Sequence, residues 1–161
     1  LLNLTVMATT SEKSVSILND VVEILNDRIN GYERAMKDVE MEDVDLKAMF
    51  SNLIHESRNF RNEIAQEITA MGGNPDTGTT VSGQIHKAWM DLKAAFTGKD
   101  REAILSSCEF GDNAALDVYR DALDESELSG SLREILTRQM NSIQRTHDSI
   151  SQYLRSSQAA H

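Results

Sequence analysis

The chain has very few residues that interrupt helices or cross-link a fold. It contains one proline, Pro75, and one cysteine, Cys108, among 161 residues. A single cysteine excludes an internal disulfide, so nothing in the composition indicates an oxidising compartment. No apolar stretch is long enough to span a bilayer. We therefore expect an all-α, cytoplasmic protein of bacterial type that carries no membrane segment.

Aromatic and basic residues are also scarce. Aromatic side chains form 5% of the chain, and 16 basic side chains stand against 26 acidic ones, which gives a formal net charge of −10. Nucleic acids and anionic membranes require a basic face on the proteins that bind them. The charge therefore disfavours both as partners. The acidity serves either solubility or the attraction of cations to a carboxylate site.

Four long segments carry an apolar residue at every third or fourth position. The first of these stripes consists of Val15, Leu18, Val22, Leu25, Ile29, Tyr32 and Met36. Because this spacing keeps one face of a helix against its neighbours, it is typical of a left-handed helical bundle. The pattern predicts an architecture, and it does not by itself assign an activity.

The stripes and turn residues predict where each element lies. We expect helix A over 10–40, helix B over 44–71, a crossover over 72–99 with a short helix at 82–96, helix C over 100–124 and helix D over 130–156. Residues 1–9 are expected to be disordered or an extension, and 157–161 a tail. Two hairpins joined by one long crossover is the connection of ferritin-type bundles. The predicted fold is a single-domain, ferritin-like antiparallel four-helix bundle over 10–155.

Polar residues interrupt the apolar stripes near one predicted level of the bundle. Ser57, Asp112 and His147 each occupy a position that favours hydrocarbon. Antiparallel packing would bring the polar groups of the helices within about two turns, or roughly 11 Å. Carboxylates and histidines converge in this way in dinuclear-metal bundles, where they bind iron, manganese or zinc. The candidate metal ligands are Glu33, Glu109, Asp112 and His147, with His55 and Glu56 as weaker candidates.

The ligand pattern of a dinuclear centre is nevertheless incomplete. Helix D carries Gln144 where the Glu-x-x-His motif requires glutamate, and helix B lacks the motif. The sequence offers two arginines whose guanidinium would remove the need for a metal: Arg61, as a partner of Asp112 or Glu109, and Arg58, as a partner of Asp112. A hydrogen-bonded polar core, with His147 as one of its members, is therefore the alternative to a metal site.

Three stretches of the chain resemble a known protein family. They are Val22–Tyr32, Met71–Pro75 and His86–Asp100, the last reading His-Lys-Ala-Trp-Met-Asp-Leu-Lys-Ala-Ala-Phe-Thr-Gly-Lys-Asp. They are similar to small uncharacterised bacterial proteins described as ferritin-like four-helix bundles with a domain of unknown function. The resemblance spans 11–153 and implies a ferritin-type bundle with a stress-related role, but no established reaction. From the wider ferritin group it implies a helix-D histidine at His147 and a helix-C carboxylate at Glu109 or Asp112.

These patterns leave three functions open. The first is a non-enzymatic, stress-associated bundle that acts through its surface by binding or by self-assembly into a homo-oligomer. The second is a metal-binding, redox-active protein that uses iron, manganese or zinc, which would make it a metal-dependent oxidoreductase. The third is a small-ligand pocket between the bundle and the crossover near Trp89. The sequence does not indicate which protein would be a partner.

Overall fold

Four α-helices form almost all of the described part of the chain, which comprises residues 4–39, 43–78 and 101–159 of a computed structural model. The helices are α1 (Leu4–Asp38), α2 (Val44–Ala70), α3 (Arg101–Leu123) and α4 (Gly130–Ala159). Helix α1 begins within the segment 1–9 that was expected to be disordered or an extension. No glycine or proline lies in 4–9, so nothing in the sequence there opposes a helix. The predicted helix 82–96 and Trp89 lie outside the described residues.

The helices pack as two hairpins. Helix α1 pairs with α2, α3 pairs with α4, and α1 also packs along α3. Arg101, the first residue of α3, donates hydrogen bonds to Asp43 at 2.9 Å and to Asp45 at 2.6 Å, beside the beginning of α2. Helices α2 and α3 therefore start at the same end of the bundle and run parallel. Because α2 has 27 residues and is about 40 Å long, the end of α2 and the start of α3 lie at opposite ends of the bundle.

Two glycines end α2 and turn the chain towards α1. Gly72 has a φ of 81°, and its N–H donates to the carbonyl of Thr69, while the N–H of Gly73 donates to the carbonyl of Ile68. This pair of bonds is the Schellman motif, in which a left-handed residue satisfies the last carbonyls of a helix. A Cβ at Gly73 would lie 2.8 Å from the Val15 side chain. The absence of a side chain at Gly73 therefore lets the turn pack directly on α1.

The chain beyond the turn lies along α1. The side chain of Asn19 donates to the carbonyl of Asn74 at 3.1 Å and accepts the N–H of Asp76 at 2.9 Å. About two turns further along α1, Asn26 donates to the carbonyl of Gly78 at 2.8 Å. Two asparagines of α1 thus bind the segment 74–78. The segment runs parallel to α1, from the end of α2 towards the end of the bundle where α3 begins.

Glu23 lies between these two asparagines and makes the same region sensitive to pH. Burial, the hydrogen bond and charge of Asp76, and the charges of Asp20 and Asp27 together raise the pKa of Glu23 to about 7 from its ordinary 4.5. A raised pKa in the folded chain means that folding favours the protonated carboxyl. The stabilisation is present below about pH 4.5 and is lost as pH rises through about 7.

Glu23→Gln is therefore expected to be more stable than the wild type at pH 8 and to lose this advantage at pH 5. The amide cannot ionise, so it avoids the repulsion from Asp76 that develops at high pH. Thermal unfolding at the two pH values measures the difference. Glu12→Gln, at an exposed position of the same helix, is the matched control. An advantage of Glu23→Gln that is equal at pH 5 and pH 8 would contradict the expectation.

The apolar core consists of two clusters separated by a polar layer. The first cluster contains Tyr32, Phe50, Cys108 and Ile150, and the second contains Leu25, Ile64, Leu116 and Ile143. Each helix has a polar residue on its inner face between a member of one cluster and a member of the other; these residues are Arg28, Ser57, Asp112 and His147. The layer therefore crosses all four helices. Among the described residues, no helix has the length and apolar character of a membrane span.

Candidate functional site

The guanidinium of Arg28 lies at the centre of the polar layer. Arg28 is fully buried, and its Nε donates to Asp112 Oδ1 at 3.1 Å. Its Nη1 donates to Ser57 Oγ at 2.9 Å and reaches Glu56 Oε1 at 3.5 Å. One cation from α1 is thus bound by groups from α2 and α3. Charge-assisted hydrogen bonds of this kind are about twice as strong as those between neutral groups.

Tyr32 completes the contacts of Asp112 from one turn further along α1. Its hydroxyl donates to Asp112 Oδ1 at 2.9 Å, so this oxygen accepts from both Tyr32 and Arg28. The guanidinium carbon of Arg28 also lies 5.5 Å from the centroid of the Tyr32 ring, within the range of a cation–π interaction. Tyr32 therefore stabilises both the anion and the cation of the pair.

Helix α4 contributes a serine and a histidine to the layer. Ser142 donates to Glu56 Oε2 at 2.8 Å. The imidazole of His147 acts electrostatically on Asp112. Three buried atoms have no hydrogen-bond partner among the described residues: Arg28 Nη2, Asp112 Oδ2 and His147 Nδ1. Asp112 Oδ1 therefore accepts two hydrogen bonds, from Arg28 and Tyr32, whereas Asp112 Oδ2 accepts none from the described residues.

Burial dominates the ionisation of these groups. It raises the pKa of Asp112 above its ordinary value, and the charge of Arg28 with the hydrogen bonds from Arg28 and Tyr32 offsets part of that rise. Burial also raises the pKa of Tyr32 well above its usual range, so the hydroxyl keeps the proton that it donates. Burial opposes the charge on Arg28, but the charges of Asp112 and Glu56 and the hydrogen bond to Asp112 outweigh it, and the pKa of Arg28 moves upward. The guanidinium is therefore a permanent positive charge in the middle of the protein.

Comparison with known proteins identifies the family. Residues 13–125 match the family model described as Domain of unknown function (DUF2383). The chain belongs to this family. The predicted membership of an uncharacterised ferritin-like family is thereby confirmed. No curated protein matches the sequence.

Two solved structures of Dps proteins from Mycobacterium smegmatis share the fold of the DUF2383 chain. A Dps1 point mutant aligns with a TM-score of 0.75 at 13% identity, over 91% of this chain and 97% of that one. A tetragonal form of Dps aligns with a TM-score of 0.72 at 13% identity, over 91% and 90%. At this identity the similarity shows the fold alone. The predicted all-α, ferritin-like antiparallel four-helix bundle is confirmed.

The structure of the DUF2383 protein separates the candidate ligands. Asp112, His147 and Glu56 belong to the polar layer described above. Glu33 forms an ion pair with Arg58 at the surface, and His55 is exposed. Glu109 accepts a hydrogen bond from Ser151 of α4. Two of the four main candidates and one of the two weaker ones therefore lie in the layer, and the others lie outside it.

The prediction that Arg58 or Arg61 pairs with Asp112 was wrong. Arg58 pairs with Glu33, and Arg61 donates to the side chain of Asn26 at 3.3 Å. Arg28 pairs with Asp112 instead. A sequence signal for this existed, because position 28 follows Leu25 by three residues and precedes Tyr32 by four, which places it on the apolar face.

The layer as it stands does not fit a metal centre. No three histidine, cysteine, aspartate or glutamate side chains in the described ranges come together in a way that could hold a metal ion. The nitrogens of Arg28 contact Asp112 Oδ1 and Glu56 Oε1, the oxygens that a metal ion would share. A guanidinium and a metal ion are both positive and would compete for the same carboxylates.

A second buried polar contact was not predicted from the sequence. Gln139 of α4 is fully buried. It accepts a hydrogen bond from the hydroxyl of Tyr119 at 2.7 Å, and its amide nitrogen donates to Glu63 at 2.7 Å and to the carbonyl of Phe60 at 3.3 Å. A sequence signal for it existed, because Gln139 lies three residues after Leu136 and four residues before Ile143, on the apolar face of the helix. This contact joins α2, α3 and α4.

Proposed function

We propose that this DUF2383 protein is a non-enzymatic ferritin-like bundle that carries no metal at its centre. It acts through its surface, as a stress-associated binding or self-assembling protein. The observation that carries the proposal is the buried guanidinium of Arg28, bonded to Asp112 and Ser57. The stress-associated part rests on the family resemblance alone.

Electrostatics support a centre without metal. A second unit positive charge placed 4 Å from Arg28 would be repelled by about 4 kcal/mol at an effective dielectric constant of 20, and a divalent ion by about twice that. The carboxylate of Asp112 already interacts with Arg28 and Tyr32. A metal ion would therefore have to displace an existing ion pair before it could bind.

The buried nucleophiles of the core also support a non-enzymatic role. Cys108 is fully buried, and burial raises the pKa of its thiol well above the ordinary value. The thiolate, which is the reactive form, is therefore disfavoured. Tyr32 is likewise held protonated against Asp112. Neither group is accessible to a substrate in solution.

The outer surface offers a contact point for a partner. Phe110 of α3 is 58% exposed, although its neighbours Gly111 and Asp112 are buried. An exposed aromatic ring supplies large apolar area at low entropic cost when it enters an interface. We place Phe110 in the surface through which the protein binds or assembles.

The proposal is tested on wild-type protein from cells grown with added iron, manganese or zinc. We expect elemental analysis to find substoichiometric metal under all three supplements. We expect light scattering to give a mass above that of one chain, and Phe110→Ser to lower it, since the apolar contact is lost. Asn113→Ser, at another exposed position of α3, is the control. Stoichiometric metal would exclude the metal-free centre, and an unchanged mass for Phe110→Ser would exclude the proposed surface.

The alternative is a metal-binding, redox-active protein that uses iron, manganese or zinc. The observation that favours it is the pair of buried atoms Asp112 Oδ2 and His147 Nδ1, which have no partner among the described residues. One carboxylate oxygen and one imidazole nitrogen are suitable ligands for these metals. Stoichiometric metal in the same elemental analysis, with loss in His147→Phe, would support this alternative over the first proposal.

A further inference from the structure

We propose that Glu23 and Asp76 form a proton-sharing carboxyl pair that attaches the segment 74–78 to α1, and that the segment is released from α1 when both carboxyls are charged. The pair is thus a pH-sensitive conformational switch at the start of the connection between α2 and α3. It does not depend on whether the protein acts through its surface or binds a metal.

Hydrogen bonds that carry no charge position Asp76 beside Glu23. Asn19 accepts the N–H of Asp76 at 2.9 Å, and Asn26 donates to the carbonyl at the end of the segment 74–78 at 2.8 Å. Glu23 lies four residues after Asn19 and three before Asn26, so all three side chains share one face of α1. The backbone bonds therefore bring the side chain of Asp76 to Glu23, and the two carboxyls are joined by a hydrogen bond.

The other charges around Glu23 do not favour a second negative charge. Asp20 and Asp27 of α1 both act on Glu23 and raise its pKa. The pKa of Asp20 is itself raised, by burial and by the charge of Asp76. On the α2 side, the guanidinium of Arg61 donates to an asparagine side chain of α1 at 3.3 Å. When Glu23 loses its proton to water, it therefore becomes an anion among three other acidic groups.

The protonation of Glu23 decides whether the pair attracts or repels. A protonated Glu23 donates to Asp76, whereas two charged carboxylates at this separation repel each other. The pKa of Glu23 is about 7 against an ordinary 4.5, so the attachment is fully present below about pH 4.5 and weakens as pH rises through about 7. The whole difference would weaken the attachment about 300-fold. Because Glu23 is partly exposed, solvent screening reduces the expected effect to about tenfold.

Release of the segment changes the surface of α1. The side chains of Asn19 and Asn26 lose their backbone partners in 74–78 and become available to water or to another molecule. The segment also begins the connection between α2 and α3, so one end of this connection is freed. Near neutral pH the protein therefore has two forms, which differ in what α1 exposes.

Hydrogen exchange of the Asp76 amide, measured by NMR on the full chain, reports the attachment directly, because this N–H donates to Asn19. The amide of Met71, which is bonded to carbonyls of the last turn of α2, is the internal reference. Protection factors, which are corrected for the intrinsic pH dependence of exchange, are compared at pH 5 and pH 8. We expect the protection factor of Asp76 to fall about tenfold relative to that of Met71 in the wild type, and not to fall in Glu23→Gln.

Two further variants complete the test. Asp76→Asn removes the other carboxyl and is expected to abolish the pH dependence as Glu23→Gln does, and Glu12→Gln, at an exposed position of the same helix, is expected to keep it. A wild-type protection factor that falls no more for Asp76 than for Met71 would overturn the proposal. A fall in Glu23→Gln as large as that in the wild type would also overturn it, because another group would then be responsible. Elemental analysis and light scattering, which test the proposed function, are separate measurements.

Discussion

Arg28→Met is expected to lower the free energy of unfolding by about 3–5 kcal/mol, the typical effect of removing one partner from a buried ion pair. Asp112 would remain fully buried with only Tyr32 as a hydrogen-bond donor. Folded domains are stable by about 5–15 kcal/mol in total, so the loss takes a large share of that stability. Urea unfolding followed by circular dichroism, without added divalent metal, measures the change.

The companion variant replaces both charges. Arg28→Met combined with Asp112→Leu removes the ion pair without leaving either charge alone, and such replacements are often neutral or stabilising. We therefore expect the double variant to recover most of the stability that Arg28→Met loses. Arg58→Met is the control, because its pair with Glu33 is at the surface and exposed pairs contribute about 0–1 kcal/mol. A double variant as unstable as the sum of its parts would show that the pair does not explain the loss.

Gln139→Leu is expected to cost about 1–3 kcal/mol, because it leaves the hydroxyl of Tyr119 buried without its acceptor. Glu63 also loses the amide donor of Gln139, although it keeps its ion pair with Arg138. Removing both polar groups by adding Tyr119→Phe is expected to restore part of the stability, since no buried hydroxyl is then unpaired.

Urea unfolding of the two variants measures this effect as well. Asn141→Leu, at an exposed position of the same helix, is the control and should change stability by less than about 0.5 kcal/mol. If adding Tyr119→Phe to Gln139→Leu brought no recovery, the loss would come from packing around Gln139 and not from the hydrogen bond to Tyr119.

The fold could be predicted from the sequence because packing in a bundle follows periodicity. Leu18, Val22, Leu25 and Ile29 lie in the core as their spacing indicates. The ending of α2 also followed from local chemistry, since Gly72 can adopt the left-handed conformation of a helix C-terminus. The first residue of α1 could not be predicted in this way, because the residues from Leu4 onward contain neither a helix breaker nor a unique capping signal.

The centre of the site was predicted only in part. Asp112 and Ser57 could be assigned to one level because each replaces hydrocarbon on a regular stripe. Arg28 was missed because a single stripe was assigned to α1. A helix that packs on both α2 and α3 buries a second stripe, and Val21, Ile24 and Arg28 form it.

Glu33 was a candidate metal ligand because it is next to Tyr32 in the sequence, but its side chain lies outside the polar layer. Successive helical residues are rotated by about 100°, so Glu33, which follows the buried Tyr32, points away from the centre and meets Arg58 at the surface. Which carboxylates converge depends on the rotation of each helix about its axis. That rotation is determined by the packing of the whole bundle and not by local spacing.

The charged layer between the two apolar clusters limits how the hairpins can slide past each other. A slip of one helical turn, about 5.4 Å, would separate Arg28 from Asp112 and move the guanidinium towards one of the two apolar clusters. Intermediate positions are equally unfavourable, because neither charge can reach water. The ion pair between α1 and α3 therefore favours one register of these two helices, and a substitution at position 28 or 112 is expected to be less destabilising when the other charge is removed with it.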